Sequence, residues 1–214
     1  PLEKERFMEI GKPHCFSPLH RAAHWLAVAM LILIPLQVAV FVLSPPPDTV
    51  RGFFELYGHN PFLGLLSLDF IYLFSNAIIV VLYLALFALL FPERPSAASA
   101  AIALGLVGIA VYYPSNPAFE MLTLSSLYLQ APAGRQMVYL AAGEAVLAGY
   151  TGTAFNVYYV FNALALLLFA FAVLKSPRFS RSTGQAGRSM AALYSQMACQ
   201  PSSFDSRPSC TMRM

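Results

Sequence analysis

The sequence predicts an all-α membrane protein, a polytopic transmembrane helix bundle with four to five spans and further helices along the membrane surface. Hydrophobic residues make up 58% of the 214 residues and charged residues only 11%, with a mean hydropathy of +0.62. A soluble domain has about 25% charged residues, so this chain has too few to cover a surface facing water. The apolar residues also form blocks of the length that a helix needs to cross a bilayer, about 20 residues.

The first predicted span is an apolar block at residues 25–43, with Trp25 at its edge as an interfacial anchor. Pro35 is expected to kink this helix. Three consecutive prolines end the block, and either Asp48 or Thr49 can then cap a short amphipathic helix. We expect that short helix to lie along the membrane surface.

The second predicted span covers residues 63–91, where Asp69 and Asn76 are the strongly polar side chains. The block is longer than a bilayer needs, so it can span with tilt. A proline-bounded turn ends it. The sequence therefore predicts one continuous helix over this block.

The third predicted span, residues 96–113, contains small residues at four-residue spacing: Ala97, Ala101 and Gly105. This pattern is typical of membrane helices that approach each other closely. Residues 114–132 mix apolar and polar side chains, which favours a helix along the surface rather than a span.

The last part of the membrane region divides into two helices. Residues 133–150 are rich in Ala and Gly but contain two charged residues, Arg135 and Glu144, which predicts a weak span or a re-entrant helix. Residues 154–174 are strongly apolar and form the final predicted span. The chain thus divides into a basic N-terminal segment (1–24), a transmembrane helical domain (25–176) and a polar tail (177–214) that we expect to be disordered.

The basic residues favour a cytoplasmic position for both ends of the chain. They cluster on either side of the apolar region: Lys4, Arg6, Lys12 and Arg21 before it, and Lys175, Arg178, Arg181 and Arg188 after it. Two ends on one side require an even number of crossings. This favours four spans, with residues 133–150 only partly inserted; five spans with the tail outside is the alternative. We expect a multi-pass protein of the bacterial inner membrane.

A row of polar side chains on the second predicted span is the first candidate site. Asp69, Tyr72, Asn76 and Tyr83 fall on one face of a helix. An ionisable group in hydrocarbon costs a few kcal/mol on insertion scales, so this face should meet other helices or water. The row is either a path for a ligand or ion, or a hydrogen-bond network between helices.

Polar groups on the last two helices could line one polar cavity together with Asp69 and Asn76. A carboxylate pair there, from Asp69 and Glu144, would have perturbed pKa values and could bind a cation or relay protons. The predicted ligand-binding residues are Asp69, Tyr72, Asn76, Glu144, Asn156, Tyr159 and Asn162.

Histidines at the start of the first span suggest a different class of protein. The Arg21-x-x-His24-Trp25 sequence resembles the opening of b-type cytochrome membrane subunits, which implies a haem ligand. Six-coordinate haem needs a second ligand, normally from another helix, yet His20 and His24 share one helix face and no later span contains a histidine. We therefore predict no cofactor, and interpret these side chains as an interfacial cluster.

Other function classes find no support in the sequence. The three cysteines have no metal-ligand or disulfide spacing, so no metal site is predicted. The basic residues lie at the chain ends rather than in a patch with aromatics, so we expect no nucleic-acid partner. There is no motif of a hydrolase, metalloprotease or nucleotide-binding enzyme, so we predict a non-enzymatic protein.

Four stretches of the chain resemble an uncharacterised family of bacterial multi-spanning membrane proteins, a domain of unknown function. The stretches are residues 44–50, 68–76, 115–122 and 141–159, and the resemblance covers about residues 25–183. It implies a membrane fold of about six spans with no assigned activity. It also implies one more apolar helix where this chain has its polar tail, which would leave an apolar face for lipid or another subunit.

Taken together, these patterns predict a membrane component that binds a partner, lipid or small solute between its helices. A small transporter or an ion- or proton-conducting protein using Asp69 and Glu144 is the first alternative, and a b-type cytochrome-like redox subunit is the second. The expected partners are membrane lipid and a protein subunit packed on the transmembrane helices.

Overall fold

The computed structural model describes residues 17–176 together with residues 188, 189 and 192. Between residues 17 and 176 the chain forms helices and no strand, so the predicted all-α class is confirmed. In chain order the helices are α1 (Ser17–Leu43), α2 (Val50–His59), α3 (Pro61–Ser67), α4 (Phe70–Leu90), α5 (Pro95–Ser115), α6 (Ala118–Gln130), α7 (Ala133–Tyr150) and α8 (Thr153–Leu174).

Four stretches of the described chain are long and apolar enough to cross a membrane. They are Pro18–Leu43, Phe70–Leu90, Pro95–Gln130 and Ala133–Leu174. The first two correspond to α1 and α4, the third contains α5 and α6, and the fourth contains α7 and α8. The protein is therefore a multi-pass membrane protein, and the count of four agrees with the favoured sequence prediction.

Helices α4, α5 and α8 pack around one buried core, which we call the bundle. The closest packing is between α5 and α8, where Gly105 lies against Ala165 and Gly108 against Asn162. The residue numbers of the two pairs change in opposite directions, so the two helices are antiparallel. Glycines in contact allow the helix backbones to approach closely where no hydrophobic effect drives association.

The buried face of α5 is close to the small-residue stripe predicted from the sequence. Ala101 and Gly105 are buried as the stripe requires. At the start of the helix, however, Ala98 is the fully buried residue and Ala97 lies at the edge of the contact. The stripe turns gradually around the helix because the helical repeat is 3.6 rather than four residues.

Helix α1 packs along α4 and leaves most of its surface uncovered. Its most apolar window has a mean hydropathy of 2.8, and none of that window is buried inside the protein. Leu31 is 74% exposed, Ile32 66% and Leu43 84%. Such apolar side chains are stable in contact with acyl chains, as expected for a helix at the outside of a membrane bundle.

Helices α2, α3, α6 and α7 pack around a second buried core, and we call this unit the cap. Phe54, Tyr57 and Met121 are almost completely buried in it. The Tyr57 hydroxyl donates a hydrogen bond to the Ala118 carbonyl, 2.8 Å away, and so joins α2 to the start of α6. The surface helices predicted around residues 50–57 and 114–132 are thus two parts of one packed unit.

The cap lies at one end of the bundle. Gln37, late in α1, contacts Asp69 just before α4, while Asn76 early in α4 contacts Tyr158 early in α8. The ends of α1 and α5 and the starts of α4 and α8 therefore lie together at the cap end. The start of α1 and the end of α8 lie at the opposite end of the bundle.

The prediction of one continuous helix over residues 63–91 is wrong. Helix α3 ends at Ser67 and α4 begins at Phe70, so the chain breaks at Leu68 and Asp69. Asp69 has φ = 60°, and it is the non-glycine residue with a left-handed backbone in the described chain. Aspartate tolerates this conformation better than most residues because its short polar side chain can form hydrogen bonds close to the backbone.

Other predicted boundaries also shift. Helix α1 begins at Ser17, so the end of the predicted segment 1–24 is helical. Thr49, rather than Asp48, caps α2, since its hydroxyl accepts a hydrogen bond from the Gly52 amide at 3.1 Å. The predicted disorder of the tail falls outside the described residues, apart from three isolated positions.

We expect Gly105→Ala to destabilise the bundle. The added methyl group would overlap the ring of Tyr83, which is itself buried and hydrogen-bonded. Overpacking of this kind costs about 1–3 kcal/mol. The midpoint of thermal unfolding in detergent should fall accordingly.

Gly134→Ala is the matched control, because a methyl group there meets no atom within 4 Å. It should leave the midpoint unchanged or raise it slightly, since alanine restricts the unfolded chain more than glycine. Equal midpoints for the two variants would contradict the close packing of the Tyr83 ring of α4 on Gly105 of α5.

Candidate functional site

Polar side chains on the first half of α4 face α8. The Tyr158 hydroxyl donates to Asn76 Oδ1 at 2.9 Å and lies 3.1 Å from the hydroxyl of Tyr72. Asn76 and Tyr158 are both completely buried. The predicted polar row therefore faces another helix rather than lipid, as the cost of polar groups in hydrocarbon requires.

The polar row ends deeper in the bundle at Tyr83. Its hydroxyl donates to Asn162 Oδ1 at 3.0 Å, and Asn162 Nδ2 donates to the Tyr158 carbonyl at 2.9 Å. Both ends of the Asn162 amide are thus used within the protein. Toward the end of α4, the bundle interior is closed by apolar side chains, Leu90 and Val173 among them.

Asp69 joins three parts of the fold at the break before α4. Its Oδ1 accepts a hydrogen bond from Gln37 Nε2 of α1 at 3.0 Å, and its Oδ2 accepts one from the hydroxyl of Tyr150 at the end of α7. Burial raises the pKa of the Asp69 carboxyl, while the hydrogen bonds from Tyr150 and Gln37 lower it in part. The carboxylate therefore connects α1, the bundle and the cap.

A cluster of tyrosine rings fills the space beside these polar contacts. The ring centroids of Tyr72 and Tyr112 are 5.4 Å apart, those of Tyr112 and Tyr158 4.8 Å, and those of Tyr158 and Tyr159 4.9 Å. Aromatic pairs at such separations are stabilising, and tyrosine adds a hydroxyl for hydrogen bonding. The cluster links α4, α5 and α8 near the cap.

Asn116, between α5 and α6, ties the cap to the break before α4. Its Nδ2 donates to the Leu68 carbonyl at 2.9 Å and lies 3.4 Å from the Tyr112 hydroxyl, and its Oδ1 accepts from the Ala118 amide at 3.2 Å. The side chain is buried. Its hydrogen-bonding groups are therefore used by the protein itself.

An open cavity of about 590 Å³ lies where the cap meets the bundle. Its wall comes from the end of α5, the connection to α6, the first turn of α6, the C-terminal half of α7 and the start of α8. Most lining residues are apolar or small, and Glu120 is the ionisable one. The lining residues are Ala110, Val111, Pro114, Ser115, Asn116, Pro117, Glu120, Ala145, Val146, Gly149 and Ala154.

The structure brings most of the predicted site residues together, but it leaves two apart. Asp69, Tyr72, Asn76, Tyr159 and Asn162 all lie in or beside the network between bundle and cap. The remaining two, Glu144 and Asn156, do not join it.

Glu144 is exposed on α7 and precedes Tyr150 by six residues. Six residues of helix span about 9 Å and leave the two side chains about 120° apart around the helix axis, so Glu144 points away from the face on which Tyr150 contacts Asp69. Asn156 is also exposed, and its Nδ2 donates to the Gly152 carbonyl of its own helix at 3.1 Å. The shared cavity expected for Asp69 and Glu144 is therefore not formed.

The contributors to the network that were not among the predicted site residues include Gln37, Tyr112 and Tyr150. Gln37 had a detectable signal, because it is an isolated amide inside a block of apolar residues. Tyr112 follows Gly108 by four residues and so continues the buried face of α5. Tyr150 has no local signal, since its role depends on how α7 docks.

The described residues give little basis for a metal or haem site. Within this part of the chain, no three His, Cys, Asp or Glu side chains come together. His20 and His24 lie one turn apart on α1, where the His24 ring packs against Trp25 at 5.6 Å. His59 lies in the cap, so these histidines do not form a pair on facing helices.

Comparison of the chain with protein-family models, with curated proteins and with solved structures finds no match in any of the three. The resemblance to a bacterial membrane-protein family therefore stays a prediction.

We expect the stability contributed by Asp69 to decrease with rising pH. Near pH 4, the ordinary pKa of aspartate, the unfolded chain releases this proton first, because the folded-state pKa is raised. The folded state then loses stability relative to the unfolded state until the pH passes the raised pKa that Asp69 has in the folded protein. As the pH rises above about 4, the unfolding midpoint of the wild type should therefore fall relative to that of Asp69→Asn.

Glu144→Gln removes an exposed carboxylate from the cap and serves as the control. Its midpoint should follow the wild type at every pH. A wild-type advantage over Asp69→Asn that grows with pH would contradict the burial of this carboxyl.

Proposed function

We propose that this protein is a non-enzymatic multi-pass protein of the bacterial inner membrane that binds a lipid or small solute between its bundle and its cap. The observation that carries the proposal is the cavity of about 590 Å³ at this junction. Its volume falls in the range of about 300–1,000 Å³ that is typical of small-molecule sites. Mostly apolar walls with a few polar groups are likewise typical of such sites.

The network around Asp69 supports a positioning role for the predicted site residues. Asp69 and Asn116 hold the cap against the bundle through contacts on both sides of the break before α4. Tyr158 and Asn162 hold α8, whose start forms part of the cavity wall, against α4. We assign these side chains to keeping the cavity open in a fixed shape.

The basic residues at the two ends of the bundle support a cytoplasmic position for both chain ends. Among the described residues, the cap end contains two basic residues, Arg51 and Arg135. The opposite end contains three, Arg21, Arg94 and Lys175, and further basic residues precede α1 and follow α8 in the sequence. Positively charged residues concentrate on the cytoplasmic side of membrane proteins, so we place the cap outside the cytoplasm.

Cysteine labelling tests this orientation. We expect a membrane-impermeant maleimide to label Gly134→Cys in intact cells with a permeabilised outer membrane, in a variant whose three cysteines are replaced by Ser. Gly134 is exposed on the cap with open space around it. A variant retaining only Cys15, which precedes α1 by two residues, should be labelled after lysis only. Labelling of Cys15 in intact cells, or of Gly134→Cys only after lysis, would contradict the orientation.

Ion or proton conduction is our second candidate. The polar row from Asp69 to Tyr83 favours it, as does Asn76 Nδ2, a buried donor without a partner in the described residues. Against it, the row ends at Tyr83, and apolar side chains occupy the bundle interior from there to Leu90. A proton current in proteoliposomes that is lost in Asp69→Asn would reverse our ranking.

We expect Gly149→Leu to abolish ligand binding. Gly149 lines the cavity, and a Cβ added there meets no other atom within 4 Å, so a leucine side chain starts from open space at the cavity wall. Mass spectrometry of organic extracts from the purified protein should detect a small molecule or lipid that the variant loses.

Gly134→Leu is the matched control for this experiment. It places the same side chain on the same helix, again at a position where an added Cβ meets no atom within 4 Å, but away from the cavity. It should retain the wild-type ligand. Identical extracts from wild type and Gly149→Leu would count against a ligand in this cavity.

A further inference from the structure

We infer that the cavity between bundle and cap takes a membrane amphiphile with an ammonium head group, and that Glu120 is its counter-ion. This inference rests on the proposed function and adds the chemical class of the ligand. It follows from which polar groups in the cavity wall remain available, and from where the apolar part of the wall lies.

The other polar side chains in the wall, Asn116 and Ser115, already form hydrogen bonds within the protein. The Asn116 side chain uses both its amide nitrogen and its oxygen in hydrogen bonds with Leu68 and Ala118. The hydroxyl of Ser115 donates to the Tyr112 carbonyl at 2.8 Å. A ligand would therefore find few unused groups in the wall.

Glu120 is the available group, and its chemistry determines the ligand. It lies in the first turn of α6, its side chain is exposed, and the described residues provide it with no hydrogen bond or ion pair. An ionised carboxylate only accepts hydrogen bonds, and its strongest partners are cationic donors. No Lys, Arg or His lines the cavity to compete for it.

The remaining wall suits a hydrocarbon chain. Ala110 and Val111 of α5, Val146 of α7 and Ala154 of α8 contribute apolar surface. Helices α5 and α8 belong to the membrane-crossing bundle, so this side of the cavity lies at the edge of the hydrocarbon region. An amphiphile can therefore enter from the bilayer with its chain against these residues and its head group at Glu120.

Three ligands with one chain length test the charge preference: hexylammonium, hexanol and hexanoate. Binding is measured by equilibrium dialysis in maltoside micelles, as the difference between the wild type and the cavity-filled Gly149→Leu protein. We expect hexylammonium to bind best and hexanoate worst. Glu120→Gln should weaken hexylammonium binding about three- to tenfold, as expected for a partly exposed charged contact, and leave hexanol unchanged.

Glu55→Gln is the matched control, because Glu55 is an exposed cap carboxylate that does not line the cavity. It should not change the affinity for any of the three ligands. Organic extracts of the wild-type protein should also contain an ammonium-bearing lipid that is depleted from Gly149→Leu extracts.

Two outcomes would overturn the inference in different ways. Equal affinities for the three ligands, with no effect of Glu120→Gln, would refute the cationic preference but leave the cavity as a binding site. If no ligand binds and the extracts of Gly149→Leu match those of the wild type, the proposed function fails together with the inference.

Discussion

The close approach of α5 and α8 is the contact on which the rest of the bundle depends. Lipid chains are as apolar as the helix surfaces, so no hydrophobic effect drives two apolar helices together in a membrane. Their association depends instead on tight packing and on hydrogen bonds between helices. Gly105 and Gly108 provide the tight packing. Because α8 then lies directly on α5, Tyr158 and Asn162 are held where the polar side chains of α4 can contact them.

The second organising feature is the break before α4, where the chain leaves the cap and enters the bundle. Asp69 adopts a left-handed backbone there and accepts hydrogen bonds from α1 and from α7. Nearby, the Leu68 carbonyl accepts from Asn116. The bundle and cap are thus joined by directional contacts beside a cavity, an arrangement that gives a binding site a defined wall.

The helices could be predicted from the sequence because hydropathy is a local property. Each span is an apolar block bounded by prolines or polar residues, and each block ends in the structure within a few residues of its expected end. The starts are less well predicted, because α1 begins at Ser17 rather than at residue 25 and α4 at Phe70 rather than at residue 63. The break at Asp69 could not be predicted in this way, since the residues around it are apolar and contain neither proline nor glycine at the turn.

The site was predicted only in part because it depends on how helices dock. Tyr72 and Asn76 share a helix face that periodicity reveals, and their contacts with α8 follow from that face. Glu144 could not be placed in the same way. Its exposure follows from the packing of α7 on α2, where Gly143 meets Val50 and Phe54, and nothing in the α7 sequence itself specifies that partner.

The cap has a consequence for the biogenesis of the protein, because its two halves come from separate connections of the chain. Helices α2 and α3 precede the hairpin formed by α4 and α5, and helices α6 and α7 follow it. During synthesis the first half must therefore wait with Phe53 and Phe54 uncovered until the second half has been made. Closure of the cap then requires both connections to lie on the same side of the membrane, with the hairpin between them inserted.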